Sequence, residues 1–216
     1  MKKGAIFDMD GTLFDTERLY HESWDIVAVE LGQTVSPGFK EDISGTCGDS
    51  MKRVIKRHYP ALDPDALIAA CLNRLQKIEK TYVPEKAGVK PLLEYLQTAG
   101  VCMAVASGSP IAMIENNLRA AGIRNYFSVV VSGLQVAHGK PSPDIFLCAA
   151  EKLRIEPKDC YVFEDSPNGV RAGAAAGCAT VMIPDLTPPT DDIRRLAISV
   201  CSDFYEVKKN LISGLF

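Results

Sequence analysis

Four short apolar runs after Pro84 constrain the fold more than any other feature of the chain. They are Val101-Cys102-Met103-Ala104-Val105-Ala106, Phe127 to Val131, Cys160 to Phe163 and Ala179 to Ile183. Runs of this length without polar alternation suit strands buried on both faces. Segments of helical texture near 89–99, 110–121, 143–153 and 167–176 alternate with them. Strand and helix in alternation predict a parallel sheet covered by helices on both sides. The leading run Gly4-Ala5-Ile6-Phe7 must join that sheet, because a lone strand cannot bury itself.

Residues 15 to 84 have another texture. Tyr20, Trp24, Val27 and Leu31 recur at helical spacing, with Gly32 as the stop. Met51, Val54, Ile55 and His58 outline a second helix, and Leu67, Cys71, Leu75, Ile78 and Tyr82 a third, opened by Asp63-Pro64. No convincing strand lies among them. The predicted architecture is α/β, a Rossmann-like parallel-sheet core with an inserted all-helical cap domain. The core takes residues 1–14 and 85–216, and the cap residues 15–84.

A length of 216 residues suffices for such a core with an inserted module. The net charge of -3 argues against a nucleic-acid or anionic-membrane partner, either of which calls for a basic excess. No apolar run approaches the ~18–20 residues of a membrane span, and Met1-Lys2-Lys3 leads into the first strand without room for a signal peptide. Seven cysteines are scattered without a CxxC or Cys/His cluster, which disfavours a disulfide framework or zinc site and suits a reducing, cytoplasmic setting. The expected assembly is a monomer.

Chemistry concentrates where strands end. The first run empties into Asp8-Met9-Asp10-Gly11-Thr12. Two carboxylates so close require a bound metal, a shared proton or one acid held neutral, unless the segment is only a solvated turn. Glu164-Asp165 follow Tyr161-Val162-Phe163 with no spacer and raise the same demand. Ser109-Pro110, Ser142-Pro143 and Ser166-Pro167 each read as a serine N-cap with proline at the first helical position. Helix N-termini at the carboxyl edge of a parallel sheet favour anions. Ser107-Gly108 and Gly139-Lys140 occupy two of the same loops; Lys140 is either a solvated loop residue or the counter-charge to a phosphoryl oxygen. Hard oxygen ligands with room for phosphate describe a magnesium site.

These residues resemble a family. Asp8-x-Asp10-Gly-Thr, Ser107 after a strand, Gly139-Lys140-Pro-x-Pro and Glu164-Asp165-Ser-x-x-Gly169 are similar to the four ordered motifs of the haloacid dehalogenase superfamily, across essentially the whole chain. The insertion after the first motif resembles the helical cap of its phosphoglycolate phosphatase and β-phosphoglucomutase branch. The resemblance implies a Mg2+-dependent phosphatase acting on a small phosphorylated metabolite through an aspartyl phosphate. Asp8 would be the nucleophile and Asp10 the general acid and base. Ser107 and Lys140 would hold the phosphoryl group, with Thr16 and Gly108 as further substrate contacts. Asp8, the Asp10 main chain, Glu164 and Asp165 would make the metal site. The dehalogenases themselves lack the second aspartate, so Asp10 argues against their reaction.

The alternative within the family is a phosphomutase of the β-phosphoglucomutase kind. The resemblance implies that mutases carry a lysine before the cap-loop glycine and an arginine three after it. Here Ser44-Gly45-Thr46-Cys47-Gly48 offers Ser44 and Gly48. The mutase histidine four residues past the hinge threonine is Tyr20 here, with His21 one place on. A phosphate-sensing receiver shares the clustered acids, hydroxyl and lysine, but not the helical insertion. Other residues read blandly: Trp24 as cap packing, His58 as a helix end, His138 as a loop residue, Asp191-Asp192 as a helix start, and Gly169 to Gly177 as a small-residue packing face. Asp15 and Thr16 either line the cleft or cap the first helix of the cap, and His21 is a hinge neighbour or a substrate contact.

Overall fold

β1 (Gly4–Phe7) is buried along its length and lies at the centre of a six-stranded sheet. The computed structural model describes residues 1–43, 48–79 and 82–216. The other strands are β2 (Cys102–Ser107), β3 (Val129–Ser132), β4 (Cys160–Glu164), β5 (Ala179–Met182) and β6 (Ser199–Val200). Their order is β3-β2-β1-β4-β5-β6, with every neighbouring pair parallel. The chain therefore moves from β1 to one side for two strands and returns to the other side for three. That reversal makes β1 the switch point, and ligands of open parallel sheets bind outside the carboxyl ends of the strands there.

Two units are distinguished, Met1–Asp15 with Tyr82–Phe216 and, separately, Thr16–Thr81. The second unit holds α1 (Thr16–Glu30), α2 (Phe39–Ile43), α3 (Gly48–His58) and α4 (Pro64–Glu79). Trp24, Val27, Phe39, Ile43, Ile55, Tyr59, Leu67 and Cys71 form its core. Trp24 meets Tyr20 and Phe39 edge to face, with ring centroids 5.3 and 5.5 Å apart, which fits the packing reading of that residue. His58 closes α3, its ring between the Ser36 hydroxyl at 2.8 Å and Asp42 at 2.7 Å. Gly32, at φ +73°, follows the end of α1 in the left-handed conformation that suits glycine. The short α2 was not anticipated. Residues 44–47, which carry the cap-loop comparison with the mutases, lie outside the described residues.

The first unit adds α5 (Val89–Thr98), α6 (Ile111–Ala120), α7 (Asp144–Leu153), α8 (Pro167–Ala175), α9 (Asp191–Leu196) and α10 (Phe204–Ile212). Strand side chains alternate between faces, so two apolar layers form. Ala5, Phe7, Val105, Tyr161 and Phe163 pack with Leu92, Leu96, Ile114, Phe204 and Val207. Ile6, Ala104, Ala106 and Val162 pack with Ile145, Phe146, Ala149 and Ala172. Gly173 lets α8 lie close to the sheet, since a β-carbon there would stand 2.5 Å from the Thr180 hydroxyl.

Chain direction at the neck is set by backbone pairing. The Asp15 amide donates to the Pro84 carbonyl at 2.8 Å, the Lys86 amide to Leu13 at 2.9 Å, and Phe14 bridges Glu85. These contacts tie residues 84–86 to the core, beside a helical unit of Thr16–Thr81. The expected strand at Phe127 to Val131 begins only at Val129, because residues 124–126 form a turn of 3₁₀ helix.

Two of the three Ser-Pro helix starts differ from expectation. Ser166 does cap α8, its hydroxyl accepting from the Gly169 amide with Pro167 at the first helical position. In α6 and α7 the prolines, Pro110 and Pro143, themselves sit at the N-cap, one residue later than predicted. That shift takes Ser109 and Ser142 off the capping position. Their hydroxyls bond Asp10 and Asp144 instead.

Candidate active site

β1, β2 and β4 deliver their last residues to one edge. The Asp8 amide donates to the Phe163 carbonyl at 3.0 Å, which extends the β1–β4 register one residue past the strand and fixes where the carboxylate emerges. Glu164 ends β4 and Ser107 ends β2; both are buried, as is Asp8. Lys140, from the loop between β3 and α7, reaches into this edge. Its ammonium donates to Asp8 Oδ1 and to Glu164 Oε1, both at 2.5 Å, and lies 5.0 Å from the Phe146 ring centre. The other Glu164 oxygen accepts from the Ser166 amide at 2.9 Å and its hydroxyl at 3.0 Å.

Asp165 stands beside this group, its Oδ1 accepting from the Thr12 hydroxyl at 2.9 Å. One carboxylate oxygen each from Asp8, Glu164 and Asp165 lie within 4.8 Å of one another. A cluster of hard carboxylate oxygens at that separation fits a small divalent cation.

Asp10 is held differently. Its Oδ2 accepts from the Ser107 hydroxyl at 3.2 Å and the Ser109 hydroxyl at 2.8 Å. The Ser109 amide donates back to Ser107 Oγ at 3.0 Å, and Ser132 donates to the Ser109 carbonyl at 2.6 Å. Ser109 is thus a site residue that the capping reading missed; the signal was a second hydroxyl two residues past Ser107. Gly108, between them, is exposed. Thr16 opens α1 and belongs to the helical unit. Lys86 and Asp185 pair at 2.5 Å, a contact the sequence did not announce.

Residues 5–183 match the family model described as haloacid dehalogenase-like hydrolase. The chain belongs to that family. Among its relatives is the "Probable pseudouridine-5'-phosphatase" of Drosophila melanogaster, 36% identical over 189 residues, 84% of this chain and 81% of that protein. Another is the fructose-1-phosphate phosphatase of Escherichia coli, 33% identical over 181 residues, 82% of this chain and 94% of the other. The crystal structure of a family hydrolase from Deinococcus radiodurans with bound phosphate and sodium superposes with a TM-score of 0.83, at 26% identity, over 98% of this chain and 96% of that one. A solved β-phosphoglucomutase from Clostridium difficile and "a predicted phosphoglycolate phosphatase" from Haemophilus somnus share the fold at 22% and 23% identity.

In this haloacid dehalogenase-like hydrolase burial and like charge dominate the electrostatics of the edge. Burial pushes the Asp8 carboxyl well above the usual carboxylate range; Lys140 opposes that shift, and Glu164, Asp165 and Asp10 add to it. Burial, then Glu164, raises Asp165 to about 7 against the pull of the Thr12 hydroxyl. Burial draws the Lys140 ammonium down, but Asp8 and Glu164 outweigh it and hold the group above the usual lysine range. One lysine therefore faces more negative charge than it neutralises. Among the described residues no helix is long and apolar enough to cross a membrane.

Proposed function

We propose that this hydrolase frees inorganic phosphate from a small phosphorylated metabolite in two displacements at phosphorus, with magnesium as its cation. The activity is that of a phosphoric monoester hydrolase. The observation that carries the mechanism is the Lys140 ammonium set between Asp8 Oδ1 and Glu164 Oε1, with Asp165 completing the acidic group.

In the first step Asp8 attacks phosphorus, the bond to the leaving oxygen breaks, and Asp10 gives that oxygen a proton. In the second, Asp10 takes a proton from water, the water oxygen attacks the aspartyl phosphate, and the Asp8 carboxylate is restored. Two hydroxyls hold Asp10 Oδ2, which leaves Oδ1 as the oxygen that exchanges the proton. Ser107 and Lys140 bind phosphoryl oxygens, with Gly108 as a further substrate contact. A cation held by Asp8, Asp165, the Asp10 main chain and Glu164 would supply charge neutralisation at the nucleophile and the phosphoryl group.

The relatives named for fructose 1-phosphate and pseudouridine 5'-phosphate act on esters of a primary sugar hydroxyl, and we assign that ester class here. The six described cysteines are free thiols, which suits a reducing, cytoplasmic setting. The test is phosphate release with magnesium from sugar 1-phosphates of ketoses, nucleoside 5'-monophosphates and glycolate phosphate, beside β-glucose 1-phosphate primed with glucose 1,6-bisphosphate. Release from the primary esters is expected. Efficient formation of glucose 6-phosphate would instead make the protein a mutase.

A further inference from the structure

Lys140 places its ammonium between Asp8 and Glu164 from a loop that is neither helix nor strand. Residues 136–143 run from a 3₁₀ turn at 133–135 to Asp144, the first residue of α7. Among the described residues a single backbone hydrogen bond lies inside that loop, the Ser142 amide donating to the Gly139 carbonyl at 3.0 Å. A lysine side chain adds several freely turning bonds and surrenders much freedom when it is fixed. The ammonium keeps one place only if its own stretch of backbone is held.

Asp144 supplies the hold. Its Oδ2 accepts from the His138 amide at 3.1 Å, and His138 Nδ1 lies 3.0 Å from the same oxygen. Its Oδ1 accepts from the Ser142 hydroxyl at 2.5 Å. One carboxylate is thus tied to the chain two residues before Lys140 and two residues after it. Ser142 first, then His138, hold the Asp144 carboxyl below the usual carboxylate range. The same first turns of α7 carry Phe146, whose buried ring lies 5.0 Å from the Lys140 ammonium. An acid in the first turn of a helix is explained by the helix dipole alone. That account gives no reason for both of its oxygens to turn back onto the loop.

We propose that Asp144 is a positioning residue for Lys140: by gathering His138 and Ser142 onto one carboxylate, it sets where the ammonium stands. Its effect on turnover rests on the phosphatase reading above, whereas its effect on the lysine does not. Lys140 meets a phosphoryl oxygen in that reading, and a shift of about 1 Å in a reacting group can cost ~10²-fold in rate. Asp144 touches no substrate and acts only through the loop.

Two measurements test this: phosphate release from a primary sugar phosphate with magnesium, and the rate at which acetic anhydride acylates Lys140, read by peptide mass spectrometry. In the wild type Lys140 should react slowly, since its side chain is 17% exposed and paired with two carboxylates. Asp144→Ala should lower kcat by roughly 10- to 100-fold. It should also speed acylation of Lys140 several-fold, with the exposed Lys209 of α10 unchanged as the reference. Asp144→Asn keeps an acceptor for the His138 amide and a donor for the Ser142 oxygen, so it should return most of both values. Wild-type kcat and wild-type Lys140 reactivity in Asp144→Ala overturn the proposal. A lower kcat with Lys140 reactivity unchanged, or faster acylation with kcat unchanged, overturns it too. An Asn variant as poor as the Ala variant would make the residue a plain charge and also rejects it. If wild type releases no phosphate from any ester, the phosphatase reading fails, and Lys140 reactivity alone decides this proposal. Should Asp144→Ala not fold, Ser142→Ala carries the test: kcat should fall several-fold as Lys140 acylation quickens, and the absence of either change rejects the idea.

Discussion

Gly169 leaves open the volume that the Glu164 carboxylate fills: a β-carbon at position 169 would overlap both the carboxyl carbon and Oε1. The first turn of α8 thus presses on the acid from one side, while the Ser166 amide and hydroxyl hold Oε2 and Lys140 holds Oε1. Glu164 has one available position, and the helix start fixes it.

Gly169→Ala should therefore act on both stability and chemistry. Overpacking of a closed site typically costs ~1–3 kcal/mol. Urea unfolding should show that loss, and phosphate release should fall with it as Glu164 is displaced from Lys140. Wild-type stability and activity together would mean that α8 can shift to admit a methyl group.

Asp8→Asn should abolish phosphate release while leaving the melting temperature close to wild type, because the amide is nearly isosteric but a poor nucleophile. Asp10→Asn should lower kcat by ~10²–10⁴, the usual worth of general acid–base help. Steady-state kinetics on a primary sugar phosphate checks both. Substantial turnover by Asp8→Asn would remove the covalent step.

Ser109→Ala removes the shorter of the two hydroxyl contacts to Asp10 Oδ2. A hydrogen bond to a charged group is worth ~1.5–3 kcal/mol, so kcat should drop by at least about tenfold with KM little changed. Ser132→Ala, which frees the Ser109 carbonyl, should reproduce a smaller part of the same loss. Equal kcat in wild type and Ser109→Ala would return that hydroxyl to a packing role.

Magnesium should stabilise the protein more at pH 8 than at pH 5.5. Asp165 is raised from an unfolded value near 3.8 to about 7, and Asp8 is raised too. A carboxyl raised on folding adds stability that is full below about pH 4 and lost as pH climbs through its folded value. The metal-free protein should lose melting temperature across that window. Protons compete with the cation for the same oxygens at low pH, so added magnesium restores most at high pH. Differential scanning fluorimetry with and without magnesium measures this; an identical shift at both pH values would speak against the site.

Residues at the ends of the long buried strands are legible in the sequence because an apolar run that stops at Asp8, Ser107 or Glu164 announces itself. β6 has two residues, too few for any periodicity, and α2 has five. α10 did carry a local signal, Asp203 accepting from the Glu206 amide, but the apolar stretch before it, broken at Ser199, drew no notice. Ser109 was read through a local rule, helix capping, whereas its hydroxyl serves a residue 99 positions away. Lys86 and Asp185 are likewise 99 residues apart, and charged loop residues have no pattern that says which will meet.

The backbone pairing of Leu13 to Asp15 with Pro84 to Lys86 closes a ring of chain around residues 16–83. Closure entropy grows only slowly with the length of chain enclosed, so a longer, shorter or wholly different insertion would burden the sheet almost equally. Evolution can therefore exchange the module between Thr16 and Thr81 as a cassette, while the residues that would handle phosphorus stay where they are.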